Sequence, residues 1–520
     1  MESGSPSWEH DTVLVVNFGG QYAHLISRRL RDLGVYTVVV SYSDPSLVER
    51  ASHERVKAIV LSGGPASVLE EGAPRIDRRI LQLGKPVLGI CYGHQLIAAM
   101  YGGRVEKGAG EYGRTIVRIA ARDPLFEGWG EEEEVWMSHS DYVAEPPEGA
   151  SVLAYSRDTG YIAAFKLREI PVYGVQFHPE VSHTPKGTLL LENFVERIAK
   201  ANRTWRPEDY IDRAVREIRE AVGSEEKILV AVSGGVDSTV TALLAKRAVG
   251  ERLVAVLVDH GLFREGEVAE VTSMLRQLGV NPIVVDAREE FLSKLRGVSD
   301  PEEKRRVVGE TFARIFREVA SRDPKIKWLA QGTTYPDVVE SGAEQGADRI
   351  KSHHNVAGLP SWLGLKVLEP LRYLYKDEVR RIAVALGVPH RYAYRHPFPG
   401  PGLAVRVIGE VTEEKLRIAR RASRIVEEEL LRAGLYYRVW QAFAVVGDDK
   451  WVGVKGDRRA EGHIVIVRVV ESEDAMTADW ARIPHEVLDR IARRITSELP
   501  EVTMVAYAIT SKPPATIEPQ

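Results

Sequence analysis

Twice along this chain, short runs of uninterrupted apolar residues alternate with stretches of helical character. The first series reads TVLVVN (12–17), VYTVVV (35–40), VKAIVLS (56–62) and PVLGI (86–90). The second reads KILVAVS (227–233), LVAVLVD (253–259), PIVVDA (282–287) and KIKWLAQG (325–332). A strand with one wet face alternates apolar and polar residues, whereas a continuous apolar run belongs to a strand covered on both faces. The pattern therefore predicts α/β architecture, with two doubly wound parallel-sheet domains whose sheets are layered by helices. Residues 104–177 are expected to add shorter strands to the first unit, and a helix near 187–200 to close it. The acidic run from Glu131 to Glu134 reads as a solvated turn.

Thr204-Trp205-Arg206-Pro207 reads as a linker, with Pro207 suited to the first turn of the next helix. The cluster His396-Pro-Phe-Pro-Gly-Pro-Gly402 is compatible with neither regular helix nor central strand, and sets a second boundary. Three domains are expected, spanning 11–203, 204–395 and 396–520. The last is smaller and α+β, with helices near 413–433 and 484–498 and strands near 440–446, 462–470 and 501–509.

Charge is nearly balanced, 70 Lys+Arg against 74 Asp+Glu. That argues against a protein built to grip nucleic acid. No apolar stretch approaches the roughly 20 residues that cross a bilayer. The segment from Met1 to His10 is polar and lacks a signal peptide's apolar core, so a cytoplasmic location is the expectation. Cys91 is the single cysteine, which excludes an intrachain disulfide and a cysteine-based metal cluster.

Cys91 stands in Gly89-Ile-Cys-Tyr-Gly93, after an apolar run and before HQLIAAM. Glycines two before and two after a nucleophile permit the sharp strand-to-helix turn that lifts its side chain from a sheet. The helix N-terminus favours thiolate. A lone cysteine is usually an inert buried hydrophobe; the flanking glycines weigh against that here. A thiolate needs a base, and the base an orienter. Gln176-Phe-His178-Pro-Glu180 offers both, because residues two apart in an extended segment share a face. Together with Leu61-Ser-Gly-Gly64-Pro65, these motifs resemble the class I glutamine amidotransferases. The resemblance implies Cys91 as nucleophile, His178 as base and Glu180 as orienter. It also implies an oxyanion hole from the N–H groups of Gly64 and Tyr92, and a glutamine site including Gln95, His139 and Asp141.

A second glycine-rich turn, Ser233-Gly234-Gly235-Val236-Asp237-Ser238, follows KILVAV and opens the helix TVTALLAKRAV. Its glycines allow close backbone approach to an anion that the helix N-terminus attracts. It lacks the Gly-Lys-Ser/Thr ending of a Walker loop. The motif resembles the pyrophosphate loop of N-type ATP pyrophosphatases, which cleave ATP between its α and β phosphates. That likeness implies that residues 233–238 cradle pyrophosphate, with Mg²⁺ bridging phosphate oxygens and Asp237 as its ligand. Val258-Asp259 ends the next strand, where a nucleotide's base or ribose docks in open α/β sheets. Lys351, His353 and His354 lie in a glycine-bounded loop suited to closing over ATP and excluding water.

Four further segments resemble the GMP synthetase family: 331–341, 350–355, 395–402 and 511–518. The likeness covers residues 11–518 in that family's domain order. It implies three small-molecule substrates, glutamine, ATP and xanthosine 5′-monophosphate (XMP), with no nucleic-acid or membrane partner. The last substrate would be held by Arg395, Lys512, Thr516, Ile517 and Glu518. It further implies that ATP adenylates the xanthine 2-oxygen, that ammonia displaces AMP, and that the third domain forms a homodimer. A related synthetase making NAD would share both motifs but lack the 512–518 ending. An RNA-thiolating pyrophosphatase would carry further cysteines or a basic face. One departure stands out: the family ends Thr-Ile-Glu-Trp-Glu, and this chain has Pro519-Gln520 in the last two places.

Overall fold

The computed structural model describes residues 8–20, 22–340, 364–472 and 477–520. The chain divides into two compact units, one ending at Arg206 and the other beginning at Pro207. Trp205 closes the first unit: it is buried, its N–H donates to the Gly34 carbonyl at 2.8 Å, and its ring packs on Tyr36. Pro207 opens a 3-10 turn that leads into the helix Tyr210–Ala221.

The first unit carries a nine-stranded sheet. Its strands are β1 (Thr12–Asn17), β2 (Tyr36–Ser41), β3 (Val56–Leu61), β4 (Val87–Ile90), β5 (Arg104–Ile119), β6 (Glu132–Glu145), β7 (Ala150–Ser156), β8 (Ile162–Leu167) and β9 (Val172–Val175). They run in the order β2-β1-β3-β4-β9-β8-β7-β5-β6. From β2 to β9 the pairing is parallel, and from β9 to β6 antiparallel. The parallel strands are the four continuous apolar runs plus β9; Val13 to Val16 are wholly buried, as two covered faces require.

Two expectations for this unit are corrected. Residues 104–177 do not hold only short strands: β5 has 16 residues and β6 has 14, paired as a long hairpin. Nor do Glu132, Glu133 and Glu134 form a turn; they begin β6. Basic partners hold them there, with Glu132 meeting Arg118 (3.0 Å) and Arg157 (3.7 Å), Glu133 meeting Lys186, and Glu134 meeting Arg114 (3.6 Å). Opposite charges across a ladder stabilise extended backbone that composition alone assigns to a loop.

The second unit contains a parallel sheet of β10 (Lys227–Ala231), β11 (Leu253–Asp259), β12 (Ile283–Asp286), β13 (Ile326–Ala330) and β14 (Lys366–Leu368), in the order β12-β11-β10-β13-β14. A smaller sheet follows, made of β15 (Gln441–Lys455), β16 (Arg458–Glu471), β17 (Asp479–Trp480) and β18 (Val502–Tyr507). Helices Glu413–Arg432 and His485–Glu498 accompany it, the former N-capped by Thr412, whose side chain accepts from the Lys415 N–H. One apolar core joins both sheets, with Leu229, Val256 and Phe291 clustered with Leu403, Ile425, Val467 and Ile491. Among the described residues no helix is long and apolar enough to cross a membrane.

Candidate active sites

The first site is assembled where β4 ends. Cys91 adopts φ 51°, a left-handed conformation, between β4 and the helix Tyr92–Met100. This strained turn depends on its glycines: a Cβ at Gly89 would lie 2.5 Å from the Gly93 carbonyl oxygen, and one at Gly93 would lie 2.4 Å from that of Leu61. Tyr92 is the first helical residue, so its N–H has no intrahelical acceptor and is open to an anion. A Cβ at Gly63 would sit 3.2 Å from His178 Cε1 and 3.6 Å from Cys91 Cβ, which places the 62–65 turn over the nucleophile.

His178 and Glu180 follow β9, the strand beside β4. His178 Nδ1 donates to Glu180 Oε1 at 2.7 Å, and both residues are buried. The His178 N–H donates to the Trp136 carbonyl, and the His178 carbonyl accepts from Thr184 at 2.7 Å, so the backbone is pinned on both sides. Burial disfavours the imidazolium, but Glu180 and Cys91 outweigh it by charge and hydrogen bonding, and hold His178 well above its ordinary pKa. His94, on the helix after the elbow, is the opposite case. Wholly buried against Phe165, it is pushed by burial down to about 3 and is the weaker base.

Gln95 Nε2 donates to the Asp141 carbonyl (2.7 Å) and to Gln176 Oε1 (3.2 Å). His139 meets the same Asp141 carbonyl through Nδ1 (2.9 Å) and Glu111 through Nε2 (3.1 Å). The Asp141 carboxylate accepts from the Ser67 hydroxyl. His139 thus supports Asp141 from behind. Sequence reasoning passed over Glu111, which sits in β5, 28 residues before His139. Burial alone would raise its pKa, yet hydrogen bonds from His139, Ser156 and Thr159 keep it low.

The second site lies where the order of the parallel sheet reverses, between β10 and β13. Gly234 has φ +83°, and the helix Val236–Val249 starts after Gly235. The loop is tied by its own hydroxyls: Ser238 Oγ accepts from the Ser233 N–H at 3.1 Å and lies 3.1 Å from Ser233 Oγ. Gly332, after β13, is so close that a Cβ there would lie 3.0 Å from Asp237. Asp237 Oδ2 accepts from Lys376 Nζ, while its buried Oδ1 has no partner among the described residues. Lys376 was also missed, although it carried a signal. It opens the helix Lys376–Ala385, where a cation opposes the helix dipole unless an anion faces it. Val258 is buried within β11, so only its backbone can face a nucleotide. Lys351, His353 and His354 lie outside the described residues.

The residues expected at a nucleotide acceptor separate into two groups. Thr516, Ile517 and Glu518 are gripped by buried arginines. Arg468 donates to the carbonyls of Thr510 (2.8 Å), Thr516 (3.0 Å) and Ile517 (3.2 Å). Arg406 holds Glu518 bidentately at 2.8 and 3.0 Å, and Gln441 adds a bond at 2.6 Å. Ile517 packs with Phe443, Val445 and Val470. Lys512 exchanges backbone hydrogen bonds with Ala478. Arg395, by contrast, stands 3.2 Å from Glu267 and 3.7 Å from Glu270. Arg406, Gln441 and Arg468 left no local signal, because they act from elements far from the tail in sequence.

Three family models match the chain: glutamine amidotransferase class-I over residues 14–198, PP-loop domain over 207–317, and GMP synthase C terminal domain over 428–519. A Pyrobaculum aerophilum protein named GMP synthase (glutamine-hydrolyzing) is 64% identical over 98% of this chain and 100% of its own length. This chain belongs to the GMP synthase family. Family members of the same name from Aquifex aeolicus (52% identical, 97% of this chain and 99% of theirs) and Aeropyrum pernix (53%, 97% and 98%) match it as fully. Membership accounts for an elbow cysteine and a pyrophosphate loop on a single chain.

Proposed function

We propose that this chain is a glutamine-hydrolysing GMP synthase, a carbon–nitrogen ligase that converts XMP to GMP with ATP and glutamine. The observation that carries this reading is the full-length match to relatives of that name, with Cys91 at its elbow beside the hydrogen-bonded His178–Glu180 pair.

In the first reaction, Cys91 Sγ attacks the side-chain amide carbon of glutamine. The oxyanion is met by the N–H groups of Gly64 and Tyr92. His178 holds the thiol proton, stabilised by Glu180, and gives it to the leaving nitrogen, releasing ammonia and a thioester that water hydrolyses to glutamate. Asp141 and Gln95 hold the amino-acid end of the substrate, with His139 and Glu111 fixing Asp141.

In the second reaction, the loop 233–238 cradles the β and γ phosphates of ATP while the xanthine 2-oxygen attacks the α phosphorus. Pyrophosphate leaves, and ammonia then displaces AMP. Asp237 Oδ1, without a partner among the described residues, would suit a hard divalent cation, for which a carboxylate oxygen is a fitting donor. Such a cation, Mg²⁺ by the family resemblance, would supply neutralisation of the negative charge that pyrophosphate carries. Lys512, Thr516, Ile517, Glu518 and Arg395 receive XMP.

The working division is 11–203 for glutamine hydrolysis, 204–395 for ATP and 396–520 for XMP and homodimer formation. Trp451, Val452 and Val454, exposed on the β15–β16 hairpin, support a partner surface in the last segment. The site of action is the cytoplasm.

The test is GMP formation from XMP, ATP and Mg²⁺, with glutamine and separately with ammonium. Wild-type protein is expected to make GMP, AMP and pyrophosphate from both nitrogen sources. Cys91→Ala is expected to lose only the glutamine-dependent reaction. Loss of both reactions in Cys91→Ala, or ADP as product, would refute the two-site scheme.

A further inference from the structure

Residues 508–520 contain no helix or strand; beyond the backbone bonds of Ala508 to Val467 and of Lys512 to Ala478, side chains from distant elements fix their course. Arg468 and Arg406 do so as far as Glu518. A third buried cation holds the end. Lys304, on the helix Pro301–Ser321, is fully buried, and its Nζ donates to the carbonyls of Ala404 (3.2 Å) and Val407 (2.6 Å) and to Gln520 Oε1 (2.5 Å). Its neighbour Arg305 donates to the Gln520 carbonyl at 2.7 Å.

We propose that Lys304, acting through Gln520, is a positioning residue that latches residues 512–518 into the form that receives XMP, a role resting on the GMP synthase reading above. The same ammonium bonds the 404–407 turn, which carries Arg406, so one cation ties together both halves of the grip on Glu518. All three of its acceptors are neutral. Without the Gln520 amide, a buried N–H of a charged group is left without an acceptor and residue 520 keeps only the Arg305 bond to its backbone carbonyl. A nucleotide that binds only the docked tail then meets a smaller competent fraction, and its apparent affinity falls in proportion.

Lys304 is buried deeply enough that replacing it threatens the fold, so the test rests on Gln520, which is partly exposed. Ammonium-dependent synthesis is measured for wild type, Gln520→Ala and Gln520→Glu in the full-length protein. For Gln520→Ala, KM for XMP is expected to rise roughly tenfold, as loss of a hydrogen bond to a charged group implies. Its kcat and its KM for ATP should stay within about twofold of wild type. Gln520→Glu keeps an acceptor on the ammonium and should hold KM for XMP at or below the wild-type value. An unchanged KM in Gln520→Ala, a parallel loss in both variants, or KM for ATP rising alongside would overturn the latch. Hydrogen exchange of the 512–518 amides reads the latch without catalysis. Faster exchange in Gln520→Ala is expected, and identical exchange would also overturn it. A wild-type protein that makes no GMP would instead count against the functional reading.

Discussion

Glu180 faces His178 from two residues along the chain, accepting from Nδ1 at 2.7 Å, while its own buried Oε2 has no partner among the described residues. The carboxylate is therefore committed to one imidazole. Burial works against the charged imidazole, and the carboxylate and Cys91 reverse that effect.

Glu180→Gln keeps the shape and removes the charge. Glutamine hydrolysis is expected to fall by roughly 10²- to 10⁴-fold, the range for general-base chemistry and for a misoriented triad, while ammonium-dependent GMP synthesis persists. His178 has a folded pKa above its ordinary value. The stabilisation from its charged form is thus complete below about pH 6.5 and is lost as pH rises through the raised value. Thermal melts of wild type should therefore decline in that alkaline window, and those of Glu180→Gln should decline less.

Gly93→Ala places a methyl 2.4 Å from the Leu61 carbonyl oxygen. Either the elbow opens or β3 shifts, and an expected loss of about 2–4 kcal/mol follows from overpacking against backbone. Denaturant unfolding of the isolated transition in the first unit, followed alongside glutaminase rate, checks it. Unchanged stability would mean that the turn is looser than it stands.

Lys376→Met removes the cation hydrogen-bonded to Asp237 in the 233–238 loop and leaves Arg380 as its nearby positive charge. Pyrophosphate release is expected to drop roughly 10²-fold, comparable to losing one preorganised electrostatic contact, with glutamine hydrolysis retained. Near-normal release would make the pair a structural tie only.

Arg406 is 1% exposed and lies 4.2 Å from the Phe443 ring centroid, so its pairing with Glu518 is largely desolvated. Arg406→Leu is expected to cost about 3–5 kcal/mol by stranding the carboxylate. The double variant Arg406→Leu/Glu518→Leu should recover much of that. Both should bind XMP poorly. A double-mutant cycle on unfolding free energy, beside nucleotide titration, separates the two effects.

Much of this protein is written locally. TVLVVN, LVAVLVD and their neighbours become strands because a continuous apolar run has a single favourable fate, coverage on both faces. β1 and β11 span the expected residues, Thr12–Asn17 and Leu253–Asp259. The elbow is equally legible, since Gly89, Cys91 and Gly93 meet steric demands set within five residues. His178 and Glu180 are paired as expected but not by extended backbone: β9 ends at Val175, and Pro179 and Glu180 lie in a turn that brings the carboxylate back to the imidazole.

Tertiary structure decided what depends on partners distant in sequence. Glu132 to Glu134 lie in a strand because Arg118, Arg157, Lys186 and Arg114 face them. Asp237 finds Lys376 from 139 residues away, and Lys304 finds Gln520 from 216. No local pattern encodes such pairs. A charged residue's immediate neighbours specify its helix or loop, whereas the counter-charge is chosen by sheet order and by which turns the core brings together. Cys91, His178 and the loop at Ser233 were determined by the sequence itself. The support behind them, Glu111, Lys376, Arg406 and Lys304, became visible only when the chain was closed, because burying a charge requires a partner and only the fold brings it.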